Sequence, residues 1–482
     1  MKHLQYIAKF TSILLFFAMI QSCYKLVEVD PPINAVVSNE IFGDNLSASS
    51  VVTGIYTDMS QGIFAGRNSL TTIFSVSADE LTSVAKPDDF LSIAFTNSLT
   101  TSDGGIWPNL FDFIFRINAA IEGIQGSKSL SSRTASQLLG ECKFLRAYMY
   151  FYLVNTYGDV PLLTSTDLKY NFTAPRVDKK LVFENIISDL KESQLLLDES
   201  YLTANLLNTT SDRVRPNKAC ATALLARTYL YMKNYAEAIT AASMVIENPL
   251  YKIEGLDSVF LRESKEAIWQ LQPVQASSNT LEAQVFVLYS NDGLPAGPND
   301  EVRPLYISKS LYNSFPDEDK RKTKWIDSVT VDNRVYPFPY KYKIWMLGEP
   351  VIEYLTMLRL AELYLIRAEA KANLGILEGG ASAGYDINVI RRRAGLPDFL
   401  STNRGDVIEE VLTQRRLELF TEFGHRWFDL KRTERIDDVM GTAAVEKGGT
   451  WAPYKSLFPI PISDITRNPS LRGHQNPGYP IQ

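Results

Sequence analysis

Apolar residues Val51, Val52, Ile55, Tyr56 and Met59 recur at steps of three and four between Ala48 and Ile63, the spacing of one helix face. The same period returns from Trp107 to Gln125 through Leu110, Phe111, Ile114, Ile117 and Ile121. An aromatic-rich helix then runs from Glu141 toward a Tyr-Gly-Asp-Val-Pro turn, with Gly158 suited to a helix C-cap and Pro161 just beyond it. Phe183 to Leu197 is amphipathic and predicts a partner helix. Between Asn217 and Pro249, Leu225, Ala226, Tyr229, Tyr235 and Ala238 fit the spacing of a tetratricopeptide helix pair, and Pro249 falls where that repeat ends. From Val351 onward the helical period dominates again, through 359–375, Tyr385 to Arg393 and Val407 to Arg432.

Two long stretches break this rhythm. Residues 64–106 alternate polar and apolar positions, include Gly104-Gly105 and contain few helix formers, so they read as a non-helical excursion from a helical scaffold. Residues 253–345 form the second: Glu266 to Gln272 reads as a buried strand, followed by the turn signals Asn291-Asp292-Gly293, Pro295, Gly297 and Pro298. Lying one in each half of the chain, the two excursions are candidates for converging on one surface.

Composition changes the picture little. With 482 residues, 45% hydrophobic and 22% charged, the chain is globular. A net charge of -6, no basic stripe and no recognisable nucleic-acid module exclude a nucleic-acid partner. The N-terminus says more. Lys2 and Lys9 precede the apolar run Phe10 to Ile20, and Ile20-Gln21-Ser22-Cys23 sets a small residue before a cysteine. This is an export signal, its apolar run short of the roughly 20 residues that span a bilayer. Cleavage before Cys23 has the form of bacterial lipoprotein processing, giving a signal peptide over 1–22 and a tether over 23–38 that contains Pro31-Pro32. Acyl chains on Cys23, at about 0.8 kcal/mol per buried methylene, would hold the protein to a membrane without a transmembrane helix. Cys142 and Cys220 sit within helical patterns and read as core thiols rather than a disulfide.

Several long motifs resemble one family. ECKFLRA leads to YGDVPL at 157–162; RLAELYLIRAEAKANLG opens at Arg359; NVIRRRAG ends at Gly395; TQRRLELFTEFGHRWFDLKR ends at Arg432; and the chain closes on Pro-Ile-Pro and QNPGYP. In register over nearly the whole mature chain, these resemble the SusD/RagB family of Bacteroidetes outer-membrane lipoproteins. The chain departs from the family pattern at Lys143, usually arginine, and Gln414, usually glutamate, and in Phe423 between Glu422 and Gly424 and His425 before Arg426. The resemblance implies a mainly α, SusD-like fold: one unit over 39–482, with four tetratricopeptide-like helix pairs and loop-rich ligand-binding excursions. It also implies a lipid-anchored protein of the outer membrane, facing the cell exterior, that captures an oligosaccharide for a SusC-like TonB-dependent transporter. The alternatives are peptide capture within the same family, or a tetratricopeptide-type assembly adaptor without a small ligand.

No catalytic chemistry competes with a binding role. Apart from His3, only His425 and His474 are present, and no zinc, Cys-x-x-Cys or G-x-S-x-G pattern exists, so no metal, cofactor or catalytic residue is expected. Gly123-Ile-Gln-Gly-Ser-Lys-Ser lacks the order of a phosphate loop. Asp79-Glu80, Asp88-Asp89 and Asp317-Glu318-Asp319 offer carboxylates, but a glycosidase needs two flanking a scissile bond, and the last group reads as a helix start. Arg391 to Arg393, Arg415 and Arg416 alternate with Glu409, Glu410, Glu418, Glu422 and Asp429, the mark of ion pairing within and between helices, with Arg426 and Asp429 fixing the last one. Aromatic faces with polar neighbours suit sugar rings. The excursions offer Phe64, Arg67, Asn68, Phe90, Phe95 and Asn97 from the first, and Tyr289, Asn291, Asp292 and Tyr306 from the second. Trp107, Trp269, Trp325 and Trp427 are expected in the core, and Trp345 fits either role.

Overall fold

A computed structural model describes residues 41–480; the export signal, Cys23 and the whole of the expected tether lie outside the described residues. Helix α1 (Asn45–Met59) starts where the Asp44 carboxylate accepts from the amides of Leu46 and Ser47, and it buries Val52, Ile55 and Met59. The first excursion departs from expectation, since 64–106 contains helices α2 (Leu70–Ser77) and α3 (Phe90–Phe95) besides strand β1 (Leu81–Ser83). Every residue of α2 is buried. A helix enclosed on all sides has no apolar stripe, so its alternating sequence gives no helical signature. Ser69 caps it, Thr72 donates to the Arg67 carbonyl at 2.7 Å and Ser75 donates to Glu80 at 2.8 Å.

Helices α4 (Trp107–Gly126), α5 (Ser132–Tyr157), α6 (Lys179–Leu196), α7 (Lys218–Tyr231) and α8 (Tyr235–Ile246) follow. Gly158 ends α5 at φ 73°, a conformation open to glycine without a Cβ penalty. After the second excursion come α10 (Leu360–Asn373), α11 (Ala383–Arg393), α12 (Arg404–Leu419) and α13 (His425–Arg432). The hairpins α5/α6, α7/α8, α10/α11 and α12/α13 make four successive pairs, joined through α6 on α7, α8 on α10 and α10 on α12, while α4 covers α5. Trp107, Trp269, Trp325 and Trp427 are buried, as are the free thiols of Cys142 and Cys220.

The second excursion holds the expected buried strand β2 (Ala267–Leu271), helix α9 (Leu281–Phe286), β3 (Leu305–Ile307), β4 (Ile326–Val331) and β5 (Arg334–Pro339), and it runs past the expected bound at 345, since strand β6 (Leu355–Arg359) precedes the return to helix. Its ends meet, because β2 pairs antiparallel with β6 and Ala267 lies opposite Arg359. β1 pairs antiparallel with β3, Leu81 opposite Ile307 and Ser83 opposite Leu305, so the two excursions do converge.

An ion network inside the scaffold clamps the second excursion at its neck. Arg359 reaches Glu422 at 2.7 Å, Glu418 at 2.6 Å and Glu266 at 3.1 Å. Arg393 also holds Glu266, Arg321 holds Glu418, and Lys341 holds Glu422. Burial alone would raise the Glu418 carboxyl, but Arg393, Arg359 and Arg321 keep it far below the usual carboxylate range. Gln414 takes part without a charge, accepting from Arg321 at 2.8 Å and donating to Glu410 at 2.9 Å. Arg426 and Asp429 do fix α13, each through a partner outside it: Arg426 pairs with Asp79 at 2.7 Å, and Asp429 takes Arg415 of α12 at 2.7 Å as well as Arg432 within the helix at 2.8 Å.

Candidate ligand-binding surface

Strands β4 and β5 form a hairpin whose turn residues Asp332 and Asn333 both take positive φ, 50° and 62°, as a two-residue turn with matching twist requires. Its register sets Val331 opposite Arg334, Val329 opposite Tyr336 and Asp327 opposite Phe338, so these six share one face. Loops of the same excursion lie against that face. Tyr306 meets Tyr336 edge-on at 5.3 Å, and Tyr289 meets Phe338 edge-on at 5.8 Å, between ring centroids. Tyr289 also stacks on Trp345 at 5.5 Å with the ring planes 27° apart. The resulting aromatic band is half-buried at Tyr289, Tyr306, Tyr336, Tyr340 and Trp345, and closed only at Phe338.

Polar groups are held beside these rings. The Tyr289 hydroxyl donates to Asp327 at 3.2 Å, and the other carboxylate oxygen of Asp327 accepts the Ser328 amide at 2.7 Å. Burial and the neighbouring Asp327 push the Tyr289 hydroxyl pKa above its ordinary value. Trp345 donates its indole N–H to the Ser290 carbonyl at 3.3 Å, and Arg303 ties the carbonyls of Gln284 and Tyr289 together. Arg303 thereby connects the band to a neighbouring open cleft of about 590 Å³, lined by Arg67, Asn68, Asn109, Leu281, Gln284 and Val302 among others. Beneath the cleft, the buried Glu282 accepts the Gly66 amide at 3.3 Å, and burial pushes its carboxyl up to about 7.

The sequence candidates divide. Arg67 and Asn68 line the cleft, with Arg67 braced by Asp89 at 2.8 Å. Tyr289 and Tyr306 belong to the band, and Asn291 and Asp292 lie exposed in the turn after Tyr289. Phe64 is withdrawn from the surface: it is 0% exposed against Phe113, Tyr148 and Tyr152, because the short turn at 62–64 inserts it into the core. Asn97 is buried too, donating to the Ser77 carbonyl at 2.9 Å from a left-handed backbone position at φ 52°. Phe90 and Phe95 pack on the core at the two ends of α3, and the Lys447 ammonium sits 5.3 Å from the Phe95 centroid. Asp79 and Glu80 form no free acid pair. Arg416 and Arg426 bind Asp79 at 2.6 and 2.7 Å and overcome the effect of its burial to keep it ionised, while burial pushes Glu80 up to about 7.

Comparison with known proteins assigns this architecture. Residues 352–479 match the family described as the SusD family, and residues 30–230 match one described as starch-binding associating with outer membrane. The chain belongs to the SusD/RagB family. SusD-like protein P25 of Formosa agariphila is 23% identical over 538 residues, an alignment covering 96% of this chain and 98% of the relative. Among solved structures, surface glycan-binding protein A from Bacteroides uniformis superposes with a TM-score of 0.74 at 20% identity, over 89% of this chain and 98% of that one. A laminarin-binding SusD-like protein superposes with a TM-score of 0.69 at 21% identity, over 90% of this chain and 98% of that one.

The aromatic band lies between the two stretches that carry the SusD/RagB match, in residues 289–345. Tyr336, Tyr340, Asp327, Arg334, Gln284 and Asn109 were not singled out from the sequence. One signal was available: in Arg334 to Tyr340, Tyr336, Phe338 and Tyr340 recur at a step of two, the period of one strand face.

Proposed function

We propose that this protein is a lipid-anchored binding protein of the outer membrane that captures an oligosaccharide and passes it to a SusC-like TonB-dependent transporter. The observation that carries the reading is the half-buried Tyr289–Trp345 stack with Asp327 fixed beside it and an open cleft adjoining. Rings available at their faces offer apolar contact to sugar C–H groups, and an oriented carboxylate accepts from sugar hydroxyls. The glycan- and laminarin-binding descriptions of two structural relatives support this class of ligand. The protein performs no chemistry on the ligand in this reading, and residues 39–482 act as one unit, with 23–38 as tether and Cys23 carrying the lipid.

A peptide reading has its own observation, since the exposed apolar side chains Leu294, Val302, Val335 and Leu347 lie in the segments that frame the band. Calorimetric titration of the form beginning after Cys23, against oligosaccharides of plant, host and microbial origin and against mixed peptides, separates the two. Saturable binding of one glycan group, weakened at least tenfold by Tyr289→Ala with the melting temperature little changed, is the expected result. Binding of peptides alone transfers the assignment to peptide capture. Silence of the folded protein toward both panels, with co-purification of a barrel partner, favours an assembly adaptor.

A further inference from the structure

Arg334 differs from the arginines of the scaffold. Arg359, Arg393, Arg415, Arg426 and Arg432 all end on carboxylates. Arg334 is exposed at the tip of the β4–β5 hairpin, and no carboxylate among the described residues lies within ion-pair distance of it, the nearby turn residue Asp332 included. It is nonetheless positioned. Its guanidinium lies 4.9 Å from the Tyr336 centroid and 5.7 Å from that of Tyr306, and one of its nitrogens donates to the Tyr306 hydroxyl at 2.9 Å. A guanidinium resting on two rings has little side-chain freedom left to lose on binding, and its planar fork matches the oxygens of a carboxylate or sulfate.

The hairpin register orders the ligand surface by charge. Asp327 lies opposite Phe338 at the Tyr289–Trp345 end, and Arg334 lies opposite Val331 at the tip. Four residue steps along β5 separate these positions, about 13 Å at strand rise. One end therefore presents an acceptor for sugar hydroxyls, and the other presents a cation flanked by aromatic edges. With a net charge of -6, the chain as a whole does not attract anions, so any preference for them has to be local.

We propose that Arg334 makes this surface selective for glycans bearing anionic substituents, carboxylate or sulfate, on a unit beyond the one that stacks on Tyr289 and Trp345. The proposal rests on the glycan reading above. It is tested by calorimetry on the full chain in detergent with oligogalacturonate against its methyl ester, and with a sulfated galacto-oligosaccharide against its desulfated parent. The two pairs separate carboxylate from sulfate. At low salt, one charged member is expected to bind at least tenfold more tightly than its uncharged counterpart. Arg334→Gln is expected to abolish that ratio, weakening the charged member at least tenfold more than its uncharged counterpart, with Arg334→Lys restoring part of it and added salt reducing it. Equal binding of charged and uncharged members, or a ratio unaltered in Arg334→Gln, overturns the proposal while leaving glycan capture standing. Failure of every glycan to bind, with mixed peptides bound, overturns both.

Discussion

The helical scaffold and the excursion surface use the same residue types under opposite conditions. Where the excursion's neck enters the scaffold, Trp269 of β2 is enclosed edge-on by Phe144 of α5 at 4.9 Å and Tyr148 at 5.2 Å, and Arg359 at the end of β6 is saturated by three glutamates. On the surface, Trp345 stacks on a single tyrosine, and Arg334 rests on rings with no acid beside it. Burial makes an aromatic ring or an arginine part of the architecture. Half-burial leaves the same group held in place yet available to a ligand.

The contrast is broken most severely at the network. Arg359→Ala strands Glu266, Glu418 and Glu422 without a central cation and is expected to cost about 3–5 kcal/mol, read by chemical denaturation. Phe64→Ala should cost stability of similar size, about 3–5 kcal/mol, because it opens a cavity between Phe113 and Tyr148. A Phe64 variant that lost glycan affinity while keeping its stability would contradict the core placement. Trp345→Ala is the opposite case. It is expected to lower glycan affinity about tenfold, some 1.4 kcal/mol, with a smaller change in melting temperature.

A further effect lies in pH. Burial raises the carboxyls of Glu80 and Glu282 from 4.5 to about 7, so the folded protein binds these protons more tightly than the unfolded chain. The stability they supply is full below about 4.5 and fades as pH rises to about 7. Melting curves should show this decline, and the double variant Glu80→Gln, Glu282→Gln should flatten it. Carboxyls held low by arginines, such as Asp79 and Glu418, act in the reverse sense: their contribution is present above the ordinary carboxylate range and is lost only on acidification.

The scaffold was legible in the sequence because its helices are either one-sided or marked by long motifs. The three- and four-residue steps of α1 and α4, and the Leu225–Tyr229–Tyr235 spacing of α7 and α8, follow directly from which face is buried. Helix α2 was hidden because complete burial leaves no stripe. In the surface, loop signals pointed to the right segments but not to exposure. Phe64 and Tyr289 are both aromatic residues in loop-rich stretches, and only the packing of residues distant in sequence puts one in the core and the other on the band. Charge alternation predicted pairing, but not that Arg426 would reach across to Asp79.

The pairing of β2 with β6 brings Ala267 and Arg359 side by side, so the stretch between them leaves and re-enters the scaffold at one doorway. For such a closed loop, doubling its length costs only about 0.6 kcal/mol in closure entropy. Its length is therefore weakly constrained, whereas the residues it sends into the scaffold, Glu266, Trp269, Arg321 and Lys341, are fixed by the partners they meet there. The segment can thus lengthen or shorten between its paired ends without moving the frame that holds them.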